Sequence, residues 1–370
     1  ALDSQTGAGV RIPYGLIKDG TNWIDPTGFD ITSTGAPDKT IRISASNVNT
    51  ATGSSIDLRG GGELYGYRWV EGNGGTNDIL DTDGSYAILP GYSPFFAPYS
   101  PFATVGLNAG NLGGDKGYAN ATLAVGDRIF LNAATGLTAG VYTLLPARYA
   151  LLPGALLVTP DTTGALTAAQ LKPGGALLTS GYRFNSLNSA ATSRIYQQFE
   201  VAPLSVVKAR AEYTDYTAQT FIPAAQQRLN LPVTRTALDA GYALLGALQG
   251  MQLNGGLLAA GAQTGRGGRV DVSSPVDIVI AAPGAALQPG KLVLDATLLS
   301  GWQAESLLIG GERVFGTSST TVTTRTDELT VDNAGAPLSG AEIILLAKET
   351  LTLAANAVIT QSGTQTVADA

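Results

Sequence analysis

Short stretches of strict apolar–polar alternation recur along the chain, at Ile41-Arg42-Ile43, Ile56-Asp57-Leu58, Val270-Asp271-Val272, Leu329-Thr330-Val331 and Leu351-Thr352-Leu353. Successive side chains of a strand point to opposite faces, so each run sets its apolar pair on one face and its polar residue on the other. These runs predict half-buried strands. Gly, Asn, Asp and Ser separate them, they are not joined by two-residue Asn-Gly turns, and no long helical pattern comes between them as strand–helix–strand units require. The run at 329–331 returns at 351–353, 22 residues on, with another apolar strand at 342–347 between the two. A repeat of roughly 20 residues is the size of one coil of a parallel β-solenoid.

The rhythm breaks between 86 and 160, where Pro, Tyr, Phe and Leu accumulate. Two duplications sit there: Tyr92-Ser93-Pro94-Phe95 with Tyr99-Ser100-Pro101-Phe102, and Tyr142-Thr143-Leu144-Leu145-Pro146 with Tyr149-Ala150-Leu151-Leu152-Pro153. Pro at this density opposes central strands, which predicts loops and edge segments packed on the solenoid side. Residues 222–229 predict two turns of helix with Pro223 in the tolerated first position. Alternation resumes after Gly267-Gly268-Arg269, so the expected organisation is N-terminal coils over 1–85, an inserted Pro- and aromatic-rich region over 86–200, and C-terminal coils over 201–370.

Composition narrows the chemistry. The chain has no Cys and no His, which excludes a Ser-His-Asp triad, a thiolate nucleophile and a zinc site built on those residues. Its 22 Lys and Arg against 29 Asp and Glu leave a net charge of −7, unsuited to phosphate neutralisation, so nucleic acid is not an expected partner. Only 14% of residues are charged while 44% are hydrophobic, enough apolar surface for a large core and against disorder. Residues 240–265 carry no charge and are long enough to span a bilayer, but Gln249, Gln252, Asn254 and Gln263 would leave amides unpaired in lipid. The start shows no basic segment and apolar run of a signal peptide, which reads as a mature chain or an excised fragment.

Four runs carry a family resemblance: SIDLRGGGELY at 55–65, GVYTLLPARYALLPG at 140–154, ESLLIGGER at 305–313 and GAEIILLA at 340–347. They are similar to segments of large exoproteins of the filamentous haemagglutinin type. The resemblance implies an all-β, right-handed parallel β-helix with inserted loops and at most short helices. It further implies secretion by Gram-negative bacteria through an outer-membrane transporter partner, and display at or release from the cell surface. The chain resembles a piece from the body of such a protein, and the family supplies no catalytic residue to carry over.

Candidate recognition residues are the Pro-flanked aromatics Tyr86, Tyr92, Phe95, Phe96, Tyr99 and Phe102, which suit a glycan or a surface protein; the alternative is a plug packed on the flank. Asp78, Asp81 and Asp83, with Asn77, crowd a Gly-rich turn and offer calcium-type oxygen ligands. They form a single copy, and Asp78 departs by one position from the nonapeptide calcium repeat, so solvated turn residues are the stronger reading and no cofactor is expected. Asp57 with Glu63, or Asp271 with Asp277, are the pairs a polysaccharide lyase or hydrolase would use. Arg148, in an apolar run, calls for a carboxylate or carbonyl partner and reads as a structural clamp. Gly265-Arg266-Gly267-Gly268-Arg269 lacks the ending of a phosphate loop and reads as a turn into the Val270 strand. The expected role is thus a non-enzymatic, adhesin-like surface segment. The rivals are a structural spacer or filament-forming module, self-associating through its coil ends, and a β-helix polysaccharide enzyme.

Overall fold

Strands dominate the computed structural model, which describes residues 11–72, 75–92, 94, 97, 123–162, 168–184, 195–262, 264–316 and 319–363. The protein is mostly β, and the α-helices among the described residues are short: Leu204–Arg210, Ala218–Arg228 and Ala296–Gly301. The chain divides into two units, one containing residues 35–63 and 230–370 and the other residues 12–34 and 64–229, whereas the alternation pattern suggests divisions at 86 and 201. A period of two marks a strand without telling parallel from antiparallel pairing, and the two units differ in that respect.

In the first unit the larger sheets are parallel. One runs in the order Glu342–Leu345, Ser306–Ile309, Arg269–Ser273, Tyr242–Leu253, Thr40–Thr50. The other runs Lys291–Asp295, Asp277–Ala281, Glu328–Asp332, Thr350–Leu353. Two further parallel pairs join Gly256–Leu258 to Ser55–Asp57 and Leu338–Gly340 to Ile359–Gln361. The recurring runs at 329–331 and 351–353 lie side by side, Leu329 opposite Leu351 and Val331 opposite Leu353. The uncharged stretch after Ala240 is extended, and no helix among the described residues is long and apolar enough to cross a membrane.

Register in a parallel sheet sets like on like. Ile43, Leu245, Val272, Ile309 and Leu345 form one ladder across five strands, and Ile41, Ala243, Val270, Leu307 and Ile343 form a second. Both ladders enter the same apolar core, where each fully buried Leu, Ile or Val contributes about 1.5–3 kcal/mol. The opposite face of this sheet is closed by an antiparallel hairpin, Gly311–Phe315 with Thr320–Thr324. Fully buried Asp271 anchors it: its carboxylate accepts the Arg313 backbone N–H at 2.6 Å, Arg313 Nε at 2.9 Å and the Tyr242 hydroxyl at 2.8 Å. Arg313 also donates to Ser306 Oγ at 2.8 Å, and Phe315 packs edge-on against Tyr242 with the Arg269 guanidinium 3.9 Å from its ring centre. Burial pushes the Asp271 carboxyl above its ordinary value, and Arg313 opposes that shift. Removing one member of such a buried pair costs about 3–5 kcal/mol.

The second unit is largely antiparallel, and the loops and edge segments expected over 86–160 are corrected where that region is described. Its main sheet runs Gly140–Thr143, Arg128–Leu131, Leu177–Arg183, Gln197–Pro203, Leu156–Asp161, Tyr86–Ile88, Leu145–Pro146, with Gln170–Leu171 beside Leu177–Arg183. Proline is tolerated because of its placement. Pro146 and Pro203 end their strands, and Pro160 lies past the three residues over which its strand pairs with Tyr86–Ile88. The duplicated Tyr-Leu-Leu-Pro segments diverge, the first extended and the second wound into a 3-10 turn over Ala147–Leu151. A smaller sheet runs Tyr213–Thr217, Glu63–Trp69, Arg11–Lys18, Asn22–Ile24, and the buried Trp23 Nε1 donates to the Tyr14 carbonyl at 2.9 Å. The helix predicted from 222 begins at Ala218 and carries Pro223 in its interior, its buried side held by Ala218, Ile222 and Ala225.

Glycine decides one corner of the first unit, where backbones come closer than a side chain permits. A Cβ at Gly265 would lie 2.0 Å from the Leu238 carbonyl oxygen, and one at Gly60 would lie 1.8 Å from the same atom. Gly265→Ala is expected to destabilise the protein by about 1–3 kcal/mol. Gly301→Ala, which meets nothing within 4 Å at the end of the helix Ala296–Gly301, is expected to be neutral or to gain up to about 1 kcal/mol. Urea unfolding of both variants measures the difference.

Candidate functional site

The predicted aromatic surface does not assemble among the described residues. Tyr86 is buried in the core of the second unit, its hydroxyl donating to the Leu123 carbonyl at 2.6 Å, and desolvation pushes its phenol up to about 12. All three residues of the strand Tyr86–Ile88 are fully buried, so both faces of the strand are covered. Tyr92 is half-buried against the same core, and Phe95, Phe96, Tyr99 and Phe102 lie outside the described residues.

The acidic candidates are dispersed by local structure. Asp78 caps the 3-10 turn Ile79–Asp81, its Oδ1 accepting the Leu80 N–H at 2.9 Å and the Tyr213 hydroxyl at 2.7 Å. Burial raises its pKa, against those hydrogen bonds. Asp81 and Asp83 are exposed, and among the described residues no group of three or more acidic side chains is placed to hold a metal ion. Of the paired carboxylates, Asp57 is bound by Arg59 at 2.7 Å, and Asp271 is sealed beneath the hairpin and out of reach of solvent. Asp277 accepts the Glu328 backbone N–H at 3.1 Å, and Glu63 opens the strand Glu63–Trp69. Arg148 is almost fully buried, donates from Nε to the Pro13 carbonyl at 2.9 Å and lies over the Tyr149 ring. Arg266 binds Asp239 and the Thr234 carbonyl within the turn that precedes Arg269.

The second unit places other aromatic residues together. Val141, Phe130 and Tyr182 stand in register across three neighbouring strands. The Phe130 and Tyr182 rings stack 5.0 Å apart at 18°, Tyr196 meets Tyr182 edge-on at 5.2 Å, and Phe184 lies 5.7 Å from Tyr182 beneath the Arg128 guanidinium. Val141 is 46% and Tyr196 43% exposed, so this stripe reaches solvent. These residues are far apart in sequence; the available signal is the aromatic residue on the outward phase of two alternating strands.

A cavity of 440 Å³ opens elsewhere on the same unit, over the strands Leu156–Asp161 and Gln197–Pro203. At its wall Glu200 receives Lys172 Nζ and Arg210 Nη1, each at 2.5 Å, and Thr159 stands directly opposite Glu200 in the sheet. Burial pushes the Glu200 carboxyl up, but the bonds to Lys172 and Arg210 outweigh it and leave the group below the ordinary carboxylate range. Nothing in the local sequence announces this cluster beyond the lone charge at the centre of the run QQFEVAP.

No family model matches the chain, and neither a curated protein nor a solved structure is similar to it.

A carboxylate with a depressed native pKa adds stability above its unfolded value, here near 4.5, and loses it as the pH falls through the lower folded value. Glu200→Gln is therefore expected to cost about 1 kcal/mol at neutral pH, a figure discounted because both cations are partly exposed. The deficit is expected to shrink as the pH drops below 4.5, measured by denaturant unfolding across that range.

Proposed function

We propose that the chain is a segment of a secreted, adhesin-like exoprotein of the filamentous haemagglutinin type, in which a right-handed parallel β-helix carries an inserted antiparallel unit as its contact surface. The observation that carries this reading is the pair of five-strand apolar ladders in the first unit. Two of the runs that resemble the family, 305–313 and 340–347, supply adjacent parallel strands of that sheet, Ser306–Ile309 and Glu342–Leu345. Most of the antiparallel unit enters the chain as one insertion, residues 64–229, between strands of the parallel unit. In this reading the coils are scaffold, the aromatic stripe is the contact surface, the partner is a glycan or a surface protein, and no reaction is catalysed. Secretion through an outer-membrane transporter belongs to the same proposal and rests on the resemblance.

A second reading, a spacer or filament-forming module, draws on the last parallel strands. Leu351 and Leu353, on the edge strand of their sheet, are 45% and 59% exposed, and Val358 and Ile359 are also exposed. An apolar strand edge of this kind accepts another strand.

Binding of the labelled chain to glycan arrays and to intact cells separates the two. Adhesion predicts binding that falls at least about tenfold when Tyr182 and Tyr196 are changed to Ala, since aromatic anchors carry much of a contact's energy. A chain that binds neither surface, yet grows in mass with concentration in light scattering until Leu353→Lys reverses it, would favour the spacer.

A further inference from the structure

The cavity beside Glu200 holds a complete set of fixed donors and acceptors that its own ion pairs do not exhaust. An ionised carboxylate offers about four acceptor sites, and Lys172 and Arg210 engage its two oxygens once each. An ammonium has three donors and a guanidinium five, so both cations retain N–H groups for a ligand. Because Glu200 sits on a central strand, paired on both sides at Thr159 and Leu178, its position is set by the sheet. Thr82, Ser85 and Thr159 line the same space, and the Thr82 hydroxyl, which donates to the Asp78 carbonyl at 3.1 Å, keeps its acceptor capacity. Ile79 and Leu157 supply an apolar wall.

Charge indicates the class of ligand. The ionisable groups lining the cavity are Lys172, Arg210, Glu200 and Asp161, two cations against two anions, and both cations are already directed at Glu200. Such a site has no surplus attraction for phosphate or sulfate. It is matched to a neutral molecule with several neighbouring hydroxyls on one side and C–H groups on the other. The volume, 440 Å³, falls in the range of roughly 300–1,000 Å³ usual for small-molecule sites.

We propose that this cavity binds a neutral pyranose sugar, with Glu200 accepting from a pair of vicinal hydroxyls, Lys172 and Arg210 donating to their oxygens, and the C–H face of the ring against Ile79 and Leu157. The proposal deepens the adhesin reading, on which it rests, by giving the antiparallel unit a glycan site separate from its aromatic stripe. Binding is non-covalent and reversible.

The test uses the intact chain and a panel of methyl pyranosides (glucose, galactose, mannose, fucose and N-acetylglucosamine), followed by ligand-observed NMR, with inorganic phosphate as the charged competitor. The expected result is binding of at least one neutral pyranoside with a Kd on the order of 1 mM, typical of a shallow site with few contacts. Thr159→Val, which removes one hydroxyl at constant shape, is expected to weaken it about tenfold. Glu200→Gln is expected to weaken it further, while Gly301→Ala, in the other unit, leaves it unchanged. Folding of each variant is checked by its unfolding midpoint. The proposal is overturned if no pyranoside binds, if Thr159→Val and Glu200→Gln bind as well as the parent, or if phosphate displaces the sugar. Cell binding that persists through Thr159→Val and disappears with Tyr182→Ala would overturn the sugar site as the adhesive contact while leaving the adhesin reading intact.

Discussion

Parallel strands paired in register set each residue level with one on the next strand, and the apolar core of the first unit is organised around that constraint. A ladder such as Ile43, Leu245, Val272, Ile309 and Leu345 is continuous only if each strand begins in phase with the last. The corner at Gly60 and Gly265 shows the consequence, since two segments pass the Leu238 carbonyl at distances where only glycine fits. The low charge content follows too, because a charged residue on an inward position would be repeated or abutted across the stack at a desolvation cost of several kcal/mol.

Asp271 is the informative exception. It stands between Leu244 and Leu308 in the ladder, on the face turned away from the core, and it is completely buried. The hairpin over this face closes the cost of that burial by bringing Arg313 to it from two directions, through its backbone N–H and its guanidinium. The antiparallel unit uses charge differently. Glu200, Lys172 and Arg210 sit at the wall of an open cavity, where their remaining hydrogen-bonding capacity faces solvent.

Legibility in the sequence followed the physics of each element. The parallel strands were readable because Leu329-Thr330-Val331 and Leu351-Thr352-Leu353 repeat the same face pattern, and these runs lie side by side. The antiparallel sheet was hidden by its prolines, whose effect depends on whether a given N–H faces a partner; Pro160 does no harm because Tyr86–Ile88 pairs only with Leu156–Val158. The Pro-rich neighbourhood of Tyr86 suggests a surface ring, yet both faces of its strand are covered and its hydroxyl has a carbonyl partner inside the core. The stripe of Phe130, Tyr182 and Tyr196 and the Glu200 cluster both depend on which strands become neighbours, information that alternation along one strand does not contain. The repeated Tyr-Leu-Leu-Pro segments make the same point, adopting a strand in one copy and a 3-10 turn in the other.

The first unit depends on in-register pairing of its parallel strands, and the absence of cysteine from the chain makes that pairing directly measurable. Thr330 and Thr352 are opposite each other on neighbouring parallel strands and point away from the ladder formed by Leu329 with Leu351 and Val331 with Leu353. Neighbouring strands lie about 4.8 Å apart, inside the roughly 4.4–6.8 Å that a disulfide spans between Cα atoms. The chain carrying Thr330→Cys and Thr352→Cys is expected to form an intramolecular disulfide on mild oxidation with its fold retained. The pair Thr330→Cys and Leu351→Cys, whose side chains leave opposite faces, is expected to stay reduced. Failure of the first pair to link, or equal linking by the second, would contradict that register.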